Sequence, residues 1–154
     1  MKLDIARLKE LLSYSPETGD FTRVVPRGGC VAGSLAGTKN SDGYVLIRID
    51  GVAHYAHQLA WLWMTGEWCP RIDHRDLNPS NNRWGNLRSA TNSQNMANAE
   101  AHADSSSGLK GVTPHQGRFM ARICGRYIGM YDTACEARSA YLTEAAVHFG
   151  EFAR

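Results

Sequence analysis

Arg71-Ile72-Asp73-His74-Arg75-Asp76, then Asn81-Asn82-Arg83-Trp84-Gly85-Asn86-Leu87-Arg88, then Gln94-Asn95-Met96-Ala97-Asn98 is the stretch that decides how this chain is read. Arg71 to Asp73 is short and extended in character. From His74 to Asn86 the chain is polar and rich in Asn, Asp, Pro and Gly, the residues that close turns through their own side chains or by their backbone freedom. Thr91-Asn92-Ser93-Gln94 has the form of a capping box, so a helix is predicted from there to about Ala99. Adjacent residues of a regular strand point to opposite faces. Asp73 and His74 therefore cannot serve one centre from a continuing strand, and the loop is expected to begin at His74.

The residue types within this frame suit phosphodiester hydrolysis. That reaction needs a base for the attacking water and a cation for the charge developing on the leaving oxygen. The imidazole of His74 titrates near neutrality and suits the base role. The carboxylate of Asp73 and the amide oxygen of Asn95 form a sparse oxygen set of the kind a hard cation such as Mg²⁺ accepts while keeping several waters. Asn86, at the far end of the loop, is placed to bond backbone across it and hold His74. Asn82 competes with Asn86 for that role, and Asn98 competes with Asn95 as ligand. A polar surface loop built only from turn residues is the plain alternative, but turn chemistry does not call for Asp-His in front of it.

These motifs resemble the HNH family of ββα-metal nucleases, in particular the H-N-N variety of phage and intron-encoded homing endonucleases. The resemblance extends to Tyr14-Ser15-Pro16-Glu17-Thr18-Gly19, Gly43-Tyr44, Ala56-His57-Gln58-Leu59-Ala60-Trp61 and Thr65-Gly66-Glu67-Trp68, so it covers about residues 10 to 99. It implies His74 as general base, Asn86 as loop brace, and Asp73 and Asn95 as ligands of one divalent metal ion, Mg²⁺ or alternatively Mn²⁺. Asn95 stands where the parent motif has His. His57 falls in the family's Ala-His pattern and is read as a packed helix histidine, while His54 and His102 carry no signal.

Outward from this centre, Leu3 to Leu12 has helical apolar spacing and is stopped by the turn residues Ser15 to Gly19. Phe21 to Val25 reads as a strand. Tyr44 to Ile49 and Val52 to Ala56 flank Asp50-Gly51, a two-residue hairpin signal. His57 to Thr65 reads as a buried helix ended by Gly66. Glu100 to Gly108, with three consecutive serines, reads as a linker, which divides the chain into residues 1–103 and 104–154.

Beyond the linker, Arg118, Met120, Arg122 and Cys124 alternate with Phe119, Ala121 and Ile123, a two-faced strand. A second strand follows the turn at Gly125-Arg126, with Ile128 and Met130 alternating with Tyr127 and Tyr131. Thr133 to Glu136 forms another capping box and opens a helix to about Phe149. Its small residues Ala137, Ala140 and Ala145 allow close approach to a sheet. From Gly108 to Tyr131 every formally charged side chain is basic. Ser107 to Val112, Gly117 to Ile123 and Tyr127 to Thr133 look like the plant APETALA2/ethylene-response-factor DNA-binding domain, which has Trp where Tyr127 stands. That resemblance implies double-stranded DNA as partner, with Lys110, Arg118, Arg122, Arg126 and Tyr127 at the contact surface.

The expected class is thus α+β: a ββα-metal nuclease module followed by a three-stranded antiparallel sheet packed on one helix. A net charge of +2 on 154 residues does not by itself mark a nucleic-acid binder. Apolar runs such as Leu59 to Met64 are too short to span a bilayer and no signal peptide opens the sequence, so a cytoplasmic protein is expected. Cys30, Cys69, Cys124 and Cys135 form no C-x-x-C pair. No structural zinc is expected, and the thiols are read as small buried hydrophobes. A catalytically inactive DNA-binding protein on the same fold is the alternative function, and an RNA-binding protein the third.

Overall fold

A computed structural model describes residues 3–26, 28–101 and 105–154. The chain is a mixture of helices and small antiparallel sheets, as the α+β reading requires. It forms two compact units, Met1–Ala90 and Thr91–Arg154. The domain boundary expected at 103 and 104, and the middle of the expected linker, lie outside the described residues.

In the first unit, α1 (Ile5–Leu11) is capped by the Asp4 carboxylate, which accepts from the Arg7 amide. The chain does not turn directly after it: β1 (Leu12–Tyr14) pairs antiparallel with β2 (Phe21–Arg23). A second sheet has the order β3 (Thr38–Lys39), β4 (Val45–Ile49), β5 (Val52–Tyr55). The expected hairpin is present, with Asp50 at φ 48° and Gly51 at φ 85°, the doubly left-handed turn that matches strand twist. Helix α2 (Ala56–Thr65) follows without a break and ends at Gly66 in the left-handed conformation, a position that disfavours any side chain. Leu8, Leu12, Phe21, Ile47, Ile49, Leu59 and Leu62 close the core. Against it lies the hairpin of β6 (Ile72–His74) and β7 (Leu87–Ser89), with Asp73 opposite Arg88 and His74 opposite Leu87.

The second unit opens with α3 (Asn92–Asn98), whose capping box joins Thr91 and Gln94 as the sequence predicts. Strands β8 (Val112–His115), β9 (Arg118–Ile123) and β10 (Arg126–Tyr131) form one sheet with β9 central. Both its hairpins use an X-Gly turn with two positive φ angles, Gln116-Gly117 and Cys124-Gly125. The second turn therefore sits one residue earlier than the sequence suggests. Helix α4 (Ala134–Phe149) buries Ala137, Tyr141 and Ala145. It lies so close that a Cβ at Gly111 would stand 2.1 Å from the Tyr141 ring.

Strict alternation fails in β10. A register shift between Tyr127 and Gly129 turns both Ile128 and Tyr131 to the core side. The thiols also depart from expectation: Cys30, Cys124 and Cys135 are exposed and Cys69 is half-buried. Cys124 occupies a hairpin tip and Cys135 the first turn of a helix, places that packing does not reach. Among the described residues, no helix is long and apolar enough to cross a membrane.

Candidate active site on the β6–β7 hairpin

The strand persists one residue further than expected, through His74. Its alternation then sends Asp73 and His74 to different partners. The Asp73 carboxylate accepts from Arg88 Nε at 2.7 Å, and both side chains are almost fully buried. The His74 ring turns to Asn82, with Nε2 3.3 Å from Oδ1. Asn82 Nδ2 donates to the Ser80 carbonyl, which fixes the amide so that its oxygen faces the imidazole. An oxygen there is an acceptor only, so Nε2 carries the proton and Nδ1 the basic lone pair of neutral His74.

Asn86 acts elsewhere in the loop. Its Nδ2 donates to Asp76 Oδ1 at 2.9 Å and to the Asn81 carbonyl at 2.8 Å, and its Oδ1 accepts from the Asp76 amide. The Asn86 carbonyl also accepts from the Arg75 amide, closing the loop at its mouth. The two asparagines that compete in the sequence thus divide the work: Asn82 meets the imidazole and Asn86 ties the loop through Asp76. Burial raises the Asp76 pKa, but hydrogen bonds from Asn81, the Asn78 amide and Asn86 outweigh it and leave the carboxyl below its usual range.

The Tyr14-to-Gly19 motif explains itself here. Tyr14 donates its hydroxyl to the Asn82 carbonyl at 2.7 Å, and the Trp84 amide donates to the Pro16 carbonyl. Gly19, at φ 79°, passes so close that a Cβ would stand 2.4 Å from the Arg83 nitrogen. Any side chain there would push the loop away from His74.

Sequence reasoning missed two neighbours of the site. Arg88 is the buried cation of Asp73, a role set by strand register rather than by spacing in the chain. His57, in the first turn of α2, lies edge-to-face against His74 with ring centroids 5.1 Å apart. Tyr55 stacks on its other side at 5.3 Å, and Tyr44 contacts both imidazoles. His57 Nδ1 is buried without a hydrogen-bond partner. The packed-histidine reading describes its burial but not its place beside the candidate base.

Burial, with a smaller contribution from His74, holds the His57 pKa down to about 4 from an ordinary 6.5. Burial also lowers His74, against opposing contributions from Asn82 and the Asp76 and Asp73 carboxylates. Since the unfolded chain binds the His57 proton more readily than the folded one, stability is full above pH 6.5 and falls as pH drops towards 4. The loss amounts to about 3 kcal/mol for a shift of this size. Urea unfolding from pH 7.5 to pH 4 should show this decline, and His57→Gln should flatten it. The same slope in both proteins would exclude His57 as its source.

The remaining expected site residues lie in the second unit. Asn95 is half-buried on α3. Lys110 turns its ammonium to the carbonyls of Met96, Ala97 and Ala99 at the C-terminal end of α3, a favoured place for a cation. Arg126 pairs with Glu144 on the helix side of the sheet. Arg118 pairs with Asp132 at 2.8 Å while both remain exposed. Arg122 and Tyr127 stand opposite one another in register on the outer face, both exposed.

Residues 54–97 match the sequence model of the HNH endonuclease family. The match runs from within β5 to within α3 and so takes in His57, Asp73, His74, Asn82, Asn86, Arg88 and Asn95. No curated protein and no solved structure matches the chain. The HNH segment supports a nuclease, whose substrate is a nucleic acid. HNH nucleases generally use a divalent metal ion.

Proposed function

We propose that the protein is a metal-dependent DNA endonuclease of the phage or homing HNH type, with His74 as its general base. The observation that carries this reading is the buried His74 imidazole held by Asn82 at 3.3 Å, with its tautomer set so that Nδ1 can take a proton. His74 removes that proton from a water attacking phosphorus, Asn82 keeps Nε2 protonated, and Asn86 with Asp76 holds the loop shut behind them. His57 and Tyr44 wall one side of the ring and limit its rotation.

The donor chemistry fits a hard cation. Asp73 supplies a carboxylate, which can serve Arg88 and an ion together because it has lone pairs on both oxygens. The sequence resemblance adds the Asn95 amide oxygen. Asp73 is the residue of the first unit that would hold Mg²⁺ or Mn²⁺, Asn95 is its partner ligand by the sequence resemblance alone, and the ion would supply positive charge to the leaving oxygen.

For the second unit we retain double-stranded DNA as partner and the APETALA2-like reading, with a narrower surface. Arg122 and Tyr127 on the outer sheet face are the contacts the geometry favours, with Arg118 able to exchange Asp132 for a phosphate because an exposed pair is worth little. Arg126, exposed beside Glu144, can exchange its partner in the same way, whereas Lys110 serves the unit itself.

Incubation with supercoiled plasmid tests the whole reading. Mg²⁺ or Mn²⁺ should yield open-circular DNA, since a single site in one chain cuts one strand, and EDTA should abolish the product. Unaltered plasmid under every metal, with DNA still bound, would leave an inert DNA-binding protein instead.

A further inference from the structure

The β3–β4–β5 sheet has one face in the core, where Ile47 and Ile49 are buried. Its other face carries Leu46 and Arg48 beside Ala53. The segment after β2 returns over that face, tied by Arg23 amide to Ser34 carbonyl and Ala36 amide to Phe21 carbonyl. Between them lies a cavity of about 340 Å³ lined by Arg23, Cys30, Leu35, Thr38, Leu46 and Arg48, among others. Among the described residues that line it, none is acidic.

Of the two arginines there, Arg23 is half-buried and Arg48 exposed. Arg23 Nε is buried and has no hydrogen-bond partner. Arg48 gives one N–H to the Gly51 carbonyl at 3.2 Å. A guanidinium cannot shed its charge to relieve burial, and a buried donor left unpaired is costly. The half-buried fork of Arg23 and the exposed fork of Arg48, both lining one acid-free cavity, match the oxygens of a tetrahedral dianion or monoanion. Leu35, Leu46 and Ala53 supply an apolar wall against which a sugar can rest.

We propose that this cavity is an anion site of the first unit, in which Arg23 and Arg48 hold a phosphate group. It lies outside the matched HNH segment and shares no residue with the His74 loop. The phosphate can belong to the backbone of the nucleic acid or to a free phosphate monoester, since both present the same oxygens. Only the first of these rests on the nuclease reading.

The test uses the full chain in EDTA, so that cutting plays no part. Arg48 is exposed, and Arg48→Gln keeps the fold; Arg23→Gln is the second variant, judged only if it unfolds cooperatively. Two measurements are made: binding of inorganic phosphate by calorimetry, and the salt dependence of binding to a short duplex. Loss of a charge-assisted contact should weaken phosphate binding on the order of tenfold to a hundredfold. Removing one backbone phosphate contact should lower the salt slope by about 0.9. A lowered slope identifies backbone phosphate as the source, whether or not inorganic phosphate binds. Weakened phosphate binding with an unchanged slope identifies a free phosphate. If Arg48→Gln changes neither phosphate binding nor slope, the cavity is not an anion site. That result would leave the plasmid-cutting test, and the reading of His74, untouched.

Discussion

His74→Ala is expected to lower the rate of plasmid cutting by on the order of 10²–10⁴, the range found when a general base is removed, while affinity for DNA stays unchanged. The size follows from the geometry around the ring. Asn82 Oδ1 faces Nε2 and favours it as the donor, so Nδ1 is the basic atom of the neutral ring. His57, the nearest second imidazole, is held near pKa 4 by burial and has its Nδ1 sealed from solvent; it makes a poor replacement. The loss should therefore fall on kcat and not on binding, because His74 is proposed to act in the transition state alone. Single-turnover cutting and a binding isotherm, measured on the same preparation, separate the two. Cutting at the wild-type rate would remove His74 from the mechanism, and a parallel loss of binding would make it a structural residue of the loop.

Much of the fold is legible where a local rule decides it. The Thr91 and Thr133 boxes, the Asp50-Gly51 turn and the glycine stop at Gly66 each concern residues within four positions of one another, and each appears as read. The site is legible in its residue types for the same reason: Asp73 and His74 are neighbours in a strand and Asn82 and Asn86 lie in the loop that follows. What was not legible depends on partners distant in sequence. Arg88 carries no role of its own in the sequence until register places it opposite Asp73. His57 comes against His74 because the β4–β5 hairpin and α2 deliver it there. Lys110, basic in an acid-free run, reads as a phosphate ligand, yet the end of α3 supplies three carbonyls that claim its ammonium. Composition says that a charge must be answered; only packing says by what.

Arg88→Met is expected to destabilise the protein by about 3–5 kcal/mol, the usual consequence of removing one partner from a buried ion pair. Asp73 and Arg88 face each other across the β6–β7 pair with only 5% and 6% of their side chains exposed. Water cannot take over from the guanidinium at that depth, and the methionine fills its volume without supplying charge. The cost should therefore depend on the carboxylate. In the double variant Asp73→Leu with Arg88→Met most of the stability should return, since an apolar pair of similar volume avoids the desolvation of both ions. Urea unfolding at pH 7 of the wild type, both single variants and the double variant gives the coupling directly. A loss below about 1 kcal/mol for Arg88→Met would place the pair with ordinary surface bridges and contradict its buried role. The same variant also bears on the metal. If Asp73 is the acidic ligand, a divalent ion bound there supplies the positive charge that Arg88 no longer gives. Saturating Mg²⁺ or Mn²⁺ should then raise the stability of Arg88→Met more than that of the wild type, because an ion that binds only the folded state stabilises it. Equal stabilisation of both, in a protein that still cuts DNA, would move the ion away from Asp73.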